Sequence, residues 1–324
     1  MMFIYIFLED TMKKIVALFV AFAISVMAVS CGGYGMGPAT ETTTGTIAPP
    51  DATSVTTSPT VPDITPAEPY VDIDFSAGTI TDVKGKVSLE IKTWGGASPA
   101  KVKETYVSFG GTSKLLPVLS INNTGTWAKG VFNDIANADE MNEFVKESGG
   151  FTVEVFYLDN STTGQNRGIV CCTESIGGDA RRSGWGVAET AEGSPYFITG
   201  HTGQNAYSSV EAMKASATDF IHVVAVHNAD TQRNSIYVDG KLVSSKPAAG
   251  VFTAANKKEA MEGFDMGNVF YIGADPTAME SKRDKDGCDF PSNDLLVLDV
   301  KLYNKALSEA EVSAAFANAV KVFE

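Results

Sequence analysis

Phe151-Thr-Val-Glu-Val-Phe-Tyr-Leu158 is the stretch whose reading decides the fold. Its residues 151, 153, 155 and 157 share one side of an extended chain, because successive side chains in a strand point to opposite faces. Near the other end, Leu295-Leu-Val-Leu-Asp-Val-Lys-Leu-Tyr303 repeats the theme. There residues 296, 298, 300 and 302 are aliphatic, while Asp299 and Lys301 face the other way. A period of two sustained over eight or nine residues predicts a sheet buried on one side.

Working outward, the same alternation predicts strands over 70–75, 87–91, 105–109, 115–121, 168–173, 185–189, 196–199, 220–227, 235–238, 241–244 and 269–272. Gly, Asn, Asp and Ser separate them. Helical signals are few: a short helix over 138–146, and a C-terminal one in which Ser308 caps Glu309, Glu311, Val312, Ala315 and Phe316. Many short strands with almost no helix predict an all-β, two-sheet antiparallel sandwich over residues 69–324, with a short C-terminal helix. No internal repeat is visible.

The amino-terminal part reads differently. Met12-Lys13-Lys14 precedes an apolar run over 15–29, and Ala28-Val29-Ser30 then leads to Cys31. That order is the charged start, apolar middle and small-residue cleavage box of a secretory signal over residues 1–30, with Met12 a better initiator than Met1. The box resembles a bacterial lipobox, with Ala28 where Leu is commoner, and this implies lipidation at Cys31. An ordinary signal peptide or a membrane anchor are the alternatives, although a run of about 15 residues is short for a span of roughly 20. Residues 32–68 are mostly Gly, Thr, Pro, Ala and Ser, with four acids and no Lys or Arg. Such a segment cannot bury enough apolar surface to offset its ordering entropy, so residues 31–68 are expected to be a lipidated, disordered tether. At roughly 3 Å per residue it could reach up to ~100 Å. The expected location is secreted, lipid-anchored to a bacterial cell envelope and facing outward.

The chain carries a net charge of −14. An acidic surface argues against nucleic acid and against a polybasic membrane patch, and is compatible with neutral glycans or a bound cation. Beyond Cys31, the cysteines are Cys171, Cys172 and Cys288. Adjacent strand residues face opposite ways, so Cys171 and Cys172 are expected to do different things. A Cys172–Cys288 disulfide is open in an oxidising compartment; buried thiols are the alternative. With three His and no CxxC spacing, a structural zinc site is not expected.

Four stretches carry a family resemblance. Phe151-Thr-Val-Glu-Val-Phe-Tyr is similar to an early sandwich strand, and Phe220-Ile-His-Val-Val-Ala-Val-His to a Trp-x-His-Val-Ala strand. Ser235-Ile-Tyr-Val-Asp-Gly-Lys-Leu-Val resembles the strand–turn–strand that holds Tyr-Val-Asp-Gly, and Leu298-Asp-Val-Lys-Leu-Tyr-Asn-Lys-Ala-Leu-Ser resembles the closing strand and its exit. Together they resemble laminin-G-like domains of the concanavalin A-like lectin/glucanase superfamily. The resemblance implies a jelly-roll sandwich, to which residues 70–150 supply the first strands. It gives His222 a structural role, hydrogen-bonded to nearby backbone. It does not name a ligand, because the fold hosts lectins, hydrolases and passive modules alike.

Glycanases of this superfamily carry Glu-x-Asp-x-x-Glu on one strand, since retaining cleavage needs two carboxyls ~5 Å apart facing one cleft. No predicted strand contains that run; Glu154 stands alone on its own, and the three histidines His201, His222 and His227 give little support to a Ser/His/Asp arrangement. No catalytic residues are therefore assigned. Asp284, Asp286, Asp289, Asn293 and Asp294 form the densest run of oxygen donors, a partial match to what Ca2+ requires. A solvated acidic loop is the preferred reading of that run. Sugars are gripped by aromatic faces with polar neighbours. Trp94, Trp127, Trp185, Tyr196 and Tyr207 are the candidates, with Trp94 and Trp127 expected exposed and Trp185 expected in the core. Arg181 and Arg182 are either an anionic-sugar clamp or a surface pair. The expected function is non-catalytic, lectin-like binding of a glycan or cell-surface polymer. A structural or protein-adhesion module and a polysaccharide-cleaving enzyme are the alternatives.

Overall fold

Residues 151, 153, 155 and 157 do line an interior, and the strand that carries them is central to one of two sheets. The computed structural model describes residues 65–133, 143–146, 149–176, 181–200, 207–212, 218–248, 269–275 and 291–324. All of them fall in the unit Val61–Glu324. The first sheet holds β1 (Val71–Asp74), β3 (Lys101–Phe109), β4 (Thr112–Ile121), β6 (Gly150–Asp159), β11 (Ile221–Asn228), β12 (Arg233–Val238), β13 (Lys241–Pro247) and β15 (Leu295–Tyr303). Its order is β13-β12-β11-β6-β15-β4-β3, with β1 also paired to β15. The second sheet holds β2 (Val87–Thr93), β5 (Thr126–Phe132), β7 (Arg167–Ile176), β8 (Arg181–Glu189), β9 (Pro195–Gly200), β10 (Tyr207–Glu211) and β14 (Val269–Ile272). Its order is β10-β9-β8-β7-β14-β5-β2. Every pairing between these strands is antiparallel. The result is the expected jelly-roll sandwich, with strands from 70–133 contributing to both layers.

Between the sheets, Val153, Val155 and Tyr157 of β6 pack with Val223, Val300, Trp185, Phe197 and Phe270. Each fully buried aliphatic or aromatic side chain of this kind contributes about 1.5–3 kcal/mol. Trp185 is in this core, as expected, with 2% exposure. The outer face of the first sheet is also covered. A helix α2 (Glu309–Ala319) begins at Ser308 with a capping box to Glu311, and buries Val312 and Ala315. It seals Val224, Val226 and Tyr303 at one end, and its 3-10 extension Val320–Phe323 seals Phe156, Phe220 and Leu298 at the other. The β12–β13 turn runs under it. Asp239 and Gly240 there have φ of 49° and 74°, a two-residue turn for which Gly is the cheap second residue.

Two expectations need correction, and a third is met only in part of its range. Residues 296, 298, 300 and 302 do not share one face, because the register of β15 against β6 shifts between Val297 and Asp299. Leu295, Val297, Val300 and Leu302 reach the inter-sheet core, and Leu296 and Leu298 pack beneath α2 and its extension. The helix expected over 138–146 is described only at α1 (Glu143–Lys146); 138–142 lie outside the described residues. Two strands, β5 and β10, were not expected at all. In β5 the apolar alternation is broken by Gly130, whose missing side chain leaves room for the ring of Phe270.

Candidate functional site

Strand register collects one set of loops at one end of the sandwich. Leu295, the first residue of β15, pairs with Ile121, the last of β4, and with Asp159, the last of β6. In the second sheet, the end of β2 meets the start of β5, and Arg167 at the start of β7 faces Glu189 at the end of β8. Gly273 sits against Ile121 and Leu295, so these are the same end of both sheets. The loops β2–β3, β4–β5, β6–β7, β8–β9 and β14–β15 therefore emerge together.

Trp94 stands on the first of them with 67% exposure. Its ring is held out by a double loop. Trp94 N donates to Gly125 O at 2.8 Å, Asn123 Nδ2 donates to Ser98 O at 3.0 Å, and Ala100 N donates to Thr126 Oγ1 at 2.8 Å. Gly95 and Gly96 turn the chain with φ of 64° and 76°, a conformation that costs other residues about 1 kcal/mol or more. Gly125 is needed for a different reason: a Cβ there would lie 2.7 Å from Trp94 O. Asn122 and Thr124 of the second loop are exposed. An indole face with amide and hydroxyl groups on a stitched loop pair can take the C–H face and hydroxyls of a sugar.

Beneath the loops lies a buried ionic cluster that the sequence did not reveal. Arg167 Nε is 2.6 Å from Asp159 Oδ2, and its Nη2 is 2.9 Å from Glu189 Oε2, which ties the two sheets together. Tyr157 OH donates to Glu189 Oε1 at 2.9 Å. Burial and the neighbouring Asp159 charge push the Glu189 carboxyl up to about 7, against the pull of Tyr157 and Arg167. Arg167 is 2% exposed, so this group holds the sandwich shut at that end.

A second cluster sits on the outer face of the first sheet, under α2. Glu154 is alone on β6 but not in space. Its Oε1 is 3.1 Å from His222 Nε2 and 3.2 Å from Lys301 Nζ, and its Oε2 accepts from Tyr303 OH at 2.6 Å. Lys301 Nζ also reaches Asp299 Oδ2 at 3.0 Å. Burial disfavours the Glu154 charge, yet Lys301, His222 and Tyr303 outweigh it and hold the carboxyl well below its usual range. Asp299 goes the other way: burial, then the adjacent Glu154 charge, raise it despite Lys301. His222 thus bonds a carboxylate through Nε2, not backbone as expected. Two carboxyls do approach one another through Lys301, but both are buried and are joined by its ammonium ion, beside His222, whose ring lies against Phe316 of the helix. That arrangement joins β6, β11 and β15 beneath the helix. Another buried polar group, His227, meets Asn234 Oδ1 at 2.8 Å, and Asn234 Nδ2 donates across the sandwich to Thr199 Oγ1 at 2.7 Å.

The other candidates are dispersed. Trp127, expected exposed, is 1% exposed and stacked on Tyr271 at 6.0 Å, because it lies within β5 between two partner strands. Tyr196, half-buried, is at the Trp94 end of β9. Arg181, Arg182 and Tyr207 belong to the opposite end, where β8 and β10 begin. Cys172 is in the inter-sheet core, and Cys171 points elsewhere, its Sγ 3.2 Å from Val187 O. Asn293 Oδ1 accepts from Thr162 N at 3.0 Å, and Asp294 is exposed in the same loop. Asp284, Asp286, Asp289, Cys288, His201 and Cys31 lie outside the described residues. Among the described residues no group of three or more His, Cys, Asp or Glu could hold a metal ion. Asn293 and Asp294 alone do not make a calcium cradle.

Comparison with known proteins addresses the fold. Residues 133–313, more than half of the chain, match a laminin-G-type family described as the concanavalin A-like lectin/glucanases superfamily. Solved structures similar to the chain include a mutant of HCR/D, at TM-score 0.50 and 11% identity over 78% of this chain and 52% of that one. The botulinum neurotoxin serotype D binding domain is similar at TM-score 0.49 and 12% identity, over 78% and 52%. The serotype G binding domain gives 0.49 and 10%, over 78% and 51%. The chain thus spans about half the length of these structures, and at such identities the likeness is one of fold. No curated protein matches the chain.

Proposed function

We propose that this chain, which belongs to the concanavalin A-like lectin/glucanases superfamily, is a non-catalytic carbohydrate-binding protein whose site is the Trp94 end of the sandwich. The observation that carries this reading is a tryptophan kept 67% exposed on a hydrogen-bonded double loop. Leaving so large a ring in water gains nothing for folding, whereas stacking on a sugar recovers its apolar area. Among the described residues, the paired carboxylates Glu154 with Asp299 and Asp159 with Glu189 are each tied to a cation inside the protein. A glycan array probed with the full chain, with and without EDTA, tests the reading. Binding is expected, and Trp94→Ala is expected to weaken it about tenfold or more, the scale of losing one aromatic anchor. An array empty under both conditions would overturn it.

The reading extends to where the protein works. Met12-Lys13-Lys14, the apolar run, Cys31 and the Thr/Pro-rich stretch support a lipid-anchored protein of a bacterial envelope. Metabolic labelling with a radioactive fatty acid in a bacterial host should mark the chain, and Cys31→Ala should abolish the label. A label that survives that substitution would sink the lipid at Cys31.

A further inference from the structure

The Trp94 end has a chemistry that narrows the ligand. Segments 94–100, 122–125, 160–166, 190–194, 273–275 and 291–294 contain no Lys or Arg. Apart from Trp94 they are built of Gly, Ala, Pro, Ser, Thr, Asn and Gln, and their charges are Glu192, Asp275 and Asp294. Among the described residues the guanidinium at this end is Arg167, and it is spent internally: besides Asp159 and Glu189, its Nη1 donates to Gln165 O at 3.1 Å. Of the lysines on strands entering this end, Lys92 is 2.9 Å from Glu90, while Lys101 at the start of β3 and Lys241 at the start of β13 are exposed and lie outside the Trp94 loop pair; Lys214, in the β10–β11 connection, lies outside the described residues. The connection 276–290 lies outside the described residues and enters only as charge: Lys282, Arg283 and Lys285 against Glu280, Asp284, Asp286 and Asp289, a net −1. Arg181 and Arg182, the pair that could clamp an acidic sugar, are at the opposite end of β8.

A sulfate or carboxylate on a sugar needs guanidinium or ammonium donors to replace its water. Amides and hydroxyls instead match the hydroxyls of an uncharged sugar, donor to acceptor and acceptor to donor. The overall charge of −14 adds a longer-range repulsion of anions. We propose that the ligand of the Trp94 end is a neutral glycan, and that sulfated, sialylated or uronate-bearing chains are rejected. This deepens the carbohydrate-binding reading and rests on it.

The test uses the full chain against a β-glucan, a galactan and a mannan, each as the neutral polymer and as its sulfated derivative. The neutral form of at least one should bind, with its sulfated form about tenfold weaker or more at low salt, and the gap should narrow as salt screens the repulsion. Equal or tighter binding to the sulfated form would overturn the neutral-ligand proposal while leaving carbohydrate binding standing. Neutral-polymer binding that is undiminished by Trp94→Ala would overturn it as well, by moving the site elsewhere. Failure of every polymer to bind, neutral or sulfated, would instead bring down the carbohydrate reading beneath it.

Discussion

Glu154 and Glu189 are the same residue type, both buried and both beside a cation, yet their acidities diverge. Glu154 is held low by three donors from two neighbouring strands, Lys301, His222 and Tyr303. Glu189 has Arg167 and Tyr157, but must share the guanidinium with Asp159, and it rises to about 7. The difference shows that burial alone does not decide the charge state. The donors set against burial do, three at Glu154 and two at Glu189, together with which carboxylate of the pair yields. At Glu154 the competitor is Asp299, and there it is Asp299 that yields.

The most disruptive way to break this comparison is Lys301→Met. It leaves Glu154 and Asp299 buried without their ammonium ion, and urea unfolding should show a loss of about 3–5 kcal/mol, as for other broken buried pairs. A loss below about 1 kcal/mol would mean that the cluster is held by something else.

A subtler test uses pH, because the two glutamates have opposite signs. Glu154 is depressed from an ordinary value of 4.5, so its stabilisation is present above that value and is lost as pH falls below it. Glu189 is raised from 4.5 to about 7, so the folded state binds more protons than the unfolded chain across that window, and its contribution falls as pH rises through it. At about 1.4 kcal/mol per pKa unit the Glu189 effect is on the order of 3 kcal/mol. Glu189→Gln should therefore flatten the stability profile between pH 4.5 and 7. An unchanged slope in that variant would contradict the assignment. The smallest effect is expected at the exposed ring: Trp94→Ala should leave the melting temperature within about 2 °C of the parent, since surface changes cost within about 0.5 kcal/mol. A large drop there would make Trp94 a structural residue.

The strands that were legible in the sequence were those with a clean period of two, such as β6, or a turn with its own chemistry, such as Asp239-Gly240. What was not legible follows from geometry. Trp127 sits in a Gly- and Asn-rich stretch that resembles a loop, but Gly130 there is a packing vacancy for Phe270 in a mid-sheet strand. The face of β15 could not be read because one register shift exchanges which residues look inward. Searching single strands for paired acids also missed both clusters. Lys301 lies 147 residues from Glu154, and Arg167 lies 22 from Glu189, so only strand pairing brings them together. Trp94 was legible because consecutive glycines after an aromatic residue mark a turn that displays it.

The path of β1 has a mechanical consequence. Tyr70 N donates to Leu302 O, and Val71 pairs with Leu302 at the far end of β15, whereas Trp94 shares its end with Leu295. Whatever holds the polypeptide ahead of residue 65 grips the sandwich at its foot, and whatever touches the indole pulls at the crown. Tension between the two runs lengthwise along β1 and β15, so their ladder is loaded in shear, all rungs at once, where a strand peeled from its end would give way one rung at a time.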